Sequence, residues 1–339
     1  MTLLTRRRLA GLLAVFALLL AAATVAGLAT GPSGVSPHRV ILALGGAGSP
    51  ADADIVLRVR LPRVLLAALV GASLSVAGVL FQALLRNPLA DPFVLGVSGG
   101  AALGGIAVMA FGAGVGLGYA FVPPAAFLGA LAATLLLFGV AGARGRLSST
   151  SLLLTGVVFN AFASAAIVFI ASLAGLAEGT SIFLWLIGNL SAARLDAAAG
   201  VAVFLAAGLI CAVPLARGLD LLALGDEGAA QLGVDVPRMK RLLLLATALM
   251  VGAAVSVSGL IGFVGLIIPH LLRLVLGPGH RLLVPAAALG GAAFLVLCDT
   301  AARTLLAGRE LPVGAVTALV GGPLFLVLLR RGQRAAGVP

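Results

Sequence analysis

Charge is scarce in this 339-residue sequence. Only 10% of its residues are Asp, Glu, Lys or Arg, against about 25% in a soluble globular domain. That shortage excludes a cytosolic enzyme, a nucleic-acid-binding domain and a disordered chain. Acids are fewer than bases, 11 against 22, and Lys240 is the only lysine. A phosphate-cradling loop needs Gly-Lys-Ser/Thr. Lys240 sits instead in Arg238-Met-Lys-Arg241, so the chain does not hydrolyse ATP by that motif. The two cysteines, Cys211 and Cys298, lie in apolar runs and show neither a disulfide nor a metal motif. The three histidines, His38, His270 and His280, have no ligand spacing. No acid pair sits inside an apolar run: Asp299 lies near the end of one, and Asp220 flanks another.

What the chain has is apolar length. Hydrophobic residues make up 61% of it, with a mean hydropathy of +1.21. At about 20 residues per membrane span, candidate spans are 9–29, 62–84, 93–112, 119–141, 151–174, 197–215, 241–258, 259–276, 282–302 and 312–329. Lipid offers no backbone partners, so the spans are expected to be helices. The expected fold is therefore an all-α integral membrane protein of about ten transmembrane helices, forming one domain over 1–339. Gly259, Gly262, Gly265 and Pro269 divide 241–276 into two elements with a tight, partly buried connection. Arg6-Arg7-Arg8 before an apolar run could open a signal peptide, but 9–29 exceeds the apolar core of a signal, and it is read as a retained span.

Lys and Arg set the orientation. With the N-terminus inside and ten spans, 15 of the 22 bases fall on inner segments and the rest outside, which favours both termini inside. Arg58, Arg60 and Arg63 cluster outside, where the rule disfavours them. They either contact headgroups or form a docking surface for an acidic partner. Gly71-Ala-Ser-Leu-Ser-Val-Ala-Gly78 recurs as Gly252-Ala-Ala-Val-Ser-Val-Ser-Gly259, with Pro88 and Pro269 seventeen residues beyond each first glycine. The copies lie five spans apart and so run in opposite directions, the pattern of an inverted repeat in transporters. Small residues at this spacing also let helices approach closely.

The polar interruption 216–241 contains Asp226-Glu227, acids suited to a helix N-terminus. Gly233 can end that helix and Pro237 can start the next. It carries too few basic residues for strong lipid binding and is read as docking on a partner. Phe183 and Trp185, in 178–194, read as an interfacial aromatic anchor.

Several stretches, in order along 55–330, resemble the FecCD-type permease subunits of binding-protein-dependent ABC importers for ferric siderophores, haem and cobalamin. They are Arg60-Leu-Pro-Arg63, Gly71 to Gln82, Asn87-Pro-Leu-Ala-Asp-Pro92 and Leu95-Gly-Val-Ser-Gly-Gly-Ala101. Further along come Leu224-Gly-Asp226 with Gln231-Leu-Gly233, Gly259 to His270 with Arg273, and Asp299, Arg303 and Glu310-Leu-Pro-Val-Gly314. The resemblance implies a type II ABC importer permease fold and no catalytic residue, cofactor or metal ligand in this chain. It implies a second permease copy or paralogue, two ATPase subunits inside, and a periplasmic or lipid-anchored binding protein delivering a metal chelate. The setting is the lipid of a bacterial cytoplasmic (inner) membrane, with no nucleic acid.

Residue by residue, the resemblance assigns binding-protein docking to Arg60, Arg63 and Arg303. ATPase coupling falls to Leu224, Gly225, Asp226, Glu227, Gln231, Leu232 and Gly233, within coupling helices near 221–238. The gate is Ser149 and Thr150, in Leu147-Ser-Ser-Thr-Ser151, and the translocation path follows Leu152, Gly156, Asn160 and Ser164. Asn160 departs from the family's smaller residues there and either binds another helix or touches substrate. His270, in Ile-Ile-Pro-His, is read as structural rather than as a haem ligand. The alternative class is an ion-coupled secondary transporter, which would need ion ligands in broken mid-membrane helices.

Overall fold

The computed structural model describes residues 6–31, 34–93, 96–141, 149–306 and 309–335. Its helices are α1 (Arg6–Ala29), α2 (Pro37–Leu44), α3 (Pro50–Ala53), α4 (Leu61–Leu84), α5 (Val97–Phe111), α6 (Val122–Ala141), α7 (Ser149–Leu173) and α8 (Leu176–Ile187). They continue as α9 (Leu195–Ala212), α10 (Ala216–Leu222), α11 (Asp226–Gln231), α12 (Val236–Ser258), α13 (Val264–Leu276), α14 (His280–Thr304) and α15 (Val313–Ala335). A π-helical stretch, Asp54–Arg60, fuses α3 to α4. There is no strand among the described residues. Among the described residues seven helices are long and apolar enough to cross a membrane, and α5, α13 and the Val313–Leu328 part of α15 are shorter apolar segments. Each expected span falls on one of these helices.

The boundaries shift where polar chemistry extends or stops a helix. The second run starts at Pro50 rather than near 62. Ser49 accepts from the Asp52 amide at 3.2 Å. Arg39 clasps Asp52 at 2.6 and 2.8 Å, and Arg58 pairs with Asp54 at 3.2 Å, so the charged stretch stays helical. The third run starts at Val97 rather than 93 because Gly96, at φ +82°, turns the chain. Between α12 and α13 the break is sharp: Gly259 and Phe263 both take positive φ, +67° and +70°. That confirms two elements within 241–276. Trp185, expected at the interface, instead packs inward against the bundle core, whereas Phe183 is exposed.

The most deeply buried helices are α4, α12 and α14; α1 and α7 are peripheral. Lipid tails are as apolar as leucine, so helices associate through close packing of small residues. At the crossing of α4 and α14, a Cβ on Gly71 would sit 2.3 Å from the Gly291 carbonyl oxygen, and one on Gly291 2.4 Å from that of Gly71. Only glycine fits at either position. The repeated segments lie in α4 and α12, but their final glycines differ in use. Gly78 packs mid-helix against Gly265, while Gly259 terminates α12.

The connection from α4 to α5 tucks under this core as a series of turns. Asn87 Oδ1 accepts from the Leu89 amide at 2.9 Å, and Asp91 Oδ1 from the Phe93 amide at 2.8 Å. Asp91 is buried, and burial pushes its carboxyl up from the usual 3.8 to about 6, although the Phe93 amide pulls the other way. A folded-state value above the unfolded one means that its contribution to stability is full below about pH 4 and is lost as pH rises through 6. Asp91→Asn keeps an acceptor for Phe93 and removes the charge. At pH 7.5 this variant is expected to be more stable than the parent by about 1–3 kcal/mol. The gap should close near pH 4, as measured by thermal unfolding in detergent; an equal gap at both pH values would contradict the account.

Candidate functional site

At one end of the bundle three arginines cluster, and two of them, Arg60 and Arg303, reach the end of α1. Its last carbonyls have no partners within the helix. Arg60 Nη1 donates to the Leu28 carbonyl at 2.6 Å. Arg303 Nη2 donates to the Gly27 carbonyl at 3.1 Å, and its Nη1 to the Thr30 carbonyl at 3.5 Å. Positive charge at a helix C-terminus also complements the helix dipole. Arg63, on α4, reaches α14 instead. Its Nε donates to both oxygens of Asp299, at 3.0 and 3.1 Å, and its Nη1 to Glu310 at 2.8 Å. Arg303 Nε donates to Asp299 at 3.1 Å. One buried carboxylate therefore lies between two guanidiniums, joining α4 and α14, while Arg303 extends the link to α1.

The three arginines expected to dock a binding protein are buried in this arrangement. Arg60, Arg63 and Arg303 are only 3, 5 and 5% exposed, and their charges are turned to partners inside the chain. The exposed groups nearby are Arg58, on the π-helical stretch, and Glu310, which is partly exposed. Charge counting found the cluster but not its partners, because the pairing of 63 with 299 and 310 is set by helix packing. Asp299 stands out in the sequence as a carboxylate near the end of an apolar run, and Glu310 only as a motif residue.

The other end of α4 lies about 36 Å away at 1.5 Å per residue. There α10 and α11 form a two-helix elbow; α10 was not foreseen as a separate helix. Gly225 (φ +97°) precedes α11 and Gly233 (φ +86°) follows it. Leu224 and Leu232 are 65 and 59% exposed, and Ala229 is buried. Glu227 and Gln231 complete the helix. Asp226 does not cap it: its carboxylate meets Lys240 of α12 at 2.6 Å. Asp235 caps α12 by accepting from the Arg238 amide at 3.0 Å, with Pro237 in the first turn, as its spacing predicted. Nearby, Asp220 of α10 accepts from the His280 amide at 2.9 Å and meets the ring Nδ1 at 2.7 Å. Burial opposes ionisation of Asp220, but the His280 contacts outweigh it and lower its pKa.

The third set lies on α7, which packs on α5. Gly156, Ala163 and Ile167 are buried, and Leu152 is buried beside Phe81, Val97, Leu137 and Leu244. Asn160 donates to the Phe93 carbonyl, tying α7 to the α4–α5 connection. Ser164 is exposed, as are Leu154, Val157, Val158, Phe162, Val168 and Phe169. Gly156 and Asn160 thus face α5 within the chain, and only Ser164 opens outward. Thr150, at the start of α7, is exposed. Leu147, Ser148 and the side chain of Ser149 lie outside what is described. Among the described residues, no three His, Cys, Asp or Glu side chains gather as a metal site.

The fold and these sites define a polytopic membrane permease. The FecCD transport family matches residues 18–331, and the chain belongs to that family. It is 44% identical over 287 residues to the cobalamin import system permease protein BtuC of Halobacterium salinarum, covering 84% of this chain and 75% of the relative. It is likewise 44% identical over 286 residues to the hemin transport system permease protein HmuU of Yersinia pestis, covering 84 and 85%. Among solved structures, it superposes with a TM-score of 0.83 and 31% identity on an inward-facing transporter described as of the metal-chelate ABC type. That match covers 94% of this chain and 98% of the other. The chain is accordingly an ABC importer permease, and ion-coupled secondary transport is set aside.

The arginine cluster generates a stability prediction. Arg63→Ala leaves Asp299 buried with one cation fewer and is expected to cost about 3–5 kcal/mol. Glu310→Gln, at a partly exposed pair, should cost no more than about 1 kcal/mol. Thermal unfolding of the two variants in detergent checks this; equal losses would contradict the buried-hub reading.

Proposed function

We propose that this chain translocates a metal chelate of the cobalamin, haem or ferric-siderophore class across a bacterial cytoplasmic membrane, with both termini inside. The observation that carries the reading is α11, whose flanking leucines lie open to a partner while its interior is packed on α12. In this reading α10 and α11 are the coupling helices, and two ATPase subunits dock there and hydrolyse the ATP. A second permease, as a copy or a paralogue, completes the path. The exposed face of α7 then meets the partner permease. Ser149 and Thr150 close the inner gate, and Ser164 reaches the path. Gly156 and Asn160 shape it indirectly, by fixing α7 on α5 and on the connection at Phe93.

A binding protein delivers the chelate at the outer end. Three arginines there face two carboxylates, so the rim keeps a net positive charge and draws acidic lobes. Glu310 is partly exposed, and an incoming carboxylate can compete with it for Arg63. Arg60 and Arg303 hold the outer end of α1 in register beneath that surface. Such electrostatics set the rate and register of docking more than its affinity.

Coupling is tested at Leu232. Leu232→Asp places a charge on the docking face without touching buried packing. Copurification of the ATPase encoded with this permease should fall at least tenfold, while membrane insertion and thermal stability stay at parental values. Undiminished copurification would remove α11 from the coupling interface.

A further inference from the structure

The coupling helix is six residues long and weakly anchored by apolar contacts. Ala229 is its only buried residue, and the leucines beside it face outward. Gly225 and Gly233 bracket it in conformations that favour glycine. A short helix between two such glycines has little to fix its orientation. Charge supplies what packing does not. Asp226 lies 2.6 Å from Lys240 Nζ and 4.0 Å from Arg86 Nη2. Lys240, on the second turn of α12, is 3% exposed.

Arg86 reaches Asp226 from the far end of α4. It stands just past the α4 C-cap residue Leu85 with φ +49°, in the left-handed region that costs a non-glycine residue energy. That turn directs its guanidinium at α11: a Cβ on Gly225 would lie 3.2 Å from Arg86 Nη1. Arg86, Asp226 and Lys240 line one cavity of about 940 Å³ between α6, α11 and α12. The choice of lysine at 240 also has a physical reason. All the other basic residues are arginine. A compact ammonium on a flexible stem fits a narrow buried site that a planar guanidinium fork does not.

We infer that Asp226 is a positioning residue that clamps α11 to both α12 and the end of α4, so that the three move as one lever when α11 is pushed. The inference rests on α11 being the coupling helix. The clamp gives displacement of α11 two routes into the bundle. One runs through Lys240 along α12, which the helix break at Gly259 separates from α13. The other runs through Arg86 along α4 to the arginine cluster at its opposite end.

Because Lys240 is the only lysine, amine acylation of this chain followed by peptide mass spectrometry reads one side chain. The reagent is N-hydroxysuccinimidyl acetate, applied to the full-length permease in detergent. Arg241→Lys supplies an exposed reference amine on the neighbouring residue. Lys240 in the parent should acylate at least tenfold more slowly than that reference. Asp226→Asn should raise the Lys240 rate at least tenfold, and Asp226→Glu, which keeps the charge, should stay within twofold of the parent. Arg86→Ala should raise it at least threefold, and it carries the test if the Asn variant does not accumulate. In the complex with ATPase and binding protein, offered cobalamin, haem and a ferric siderophore in turn, the amount of the transported probe per ATP hydrolysed should fall at least fivefold in Asp226→Asn and recover in Asp226→Glu.

An unchanged Lys240 rate in both Asp226→Asn and Arg86→Ala overturns the clamp. A faster rate with unchanged transport per ATP overturns its role as a lever. The acylation result does not depend on ATPase docking at Leu232, so failure of the clamp and failure of the coupling reading are separable.

Discussion

Asp299 sits at 1% exposure between the guanidiniums of Arg63 and Arg303, in a chain whose charge is otherwise confined almost entirely to helix ends. A lone carboxylate there would be prohibitively costly. Two cations at hydrogen-bonding distance make it tolerable and make the geometry exacting, because removing either partner strands the other charges. Two helices donate to that one contact, and Arg303 and Arg60 use their remaining donors on the last carbonyls of α1. The peripheral first helix, with few buried side chains of its own, is thereby held to the two central ones. Close glycine contacts lower down, such as Gly71 against Gly291, keep α4 and α14 near enough for the pairing.

The opposite end is built on a lighter version of the same device. One partly exposed carboxylate, Asp226, meets a buried ammonium and a more distant guanidinium. The two ends differ in what surrounds them. The Asp299 cluster is sealed by three long helices. The Asp226 cluster serves a six-residue helix flanked by left-handed glycines and exposed leucines. One end is suited to holding fixed, the other to receiving a push. Both are attached to α4, which passes without a helical break between them.

Much of this architecture is legible in the sequence. Apolar run lengths place every long helix, since lipid leaves a spanning chain few choices, and the clustered glycines with Pro269 mark the break between α12 and α13. Gly233 and Pro237 bound α11 and α12 as their backbone preferences require. The misses share a cause. The start of the second helix at Pro50, the inward turn of Trp185, the burial of Arg60 and the pairing of Lys240 with Asp226 all depend on contacts between segments far apart in the chain. Arg60 and Arg303 read as surface cations because charge counting carries no information on depth. Lys240 carried one available signal: a single lysine among 22 basic residues.

The central claim is that inward transport through this permease is driven from the α10–α11 end by ATP hydrolysed on a separate subunit. Proteoliposomes holding the permease, its ATPase and its binding protein test it directly, with cobalamin, haem and a ferric siderophore offered in turn at the outer face. The account predicts uptake of at least one chelate only when ATP is present on the ATPase side, undiminished by ionophores that collapse proton and sodium gradients. Uptake by the permease without ATPase, driven by an imposed ion gradient, would contradict it.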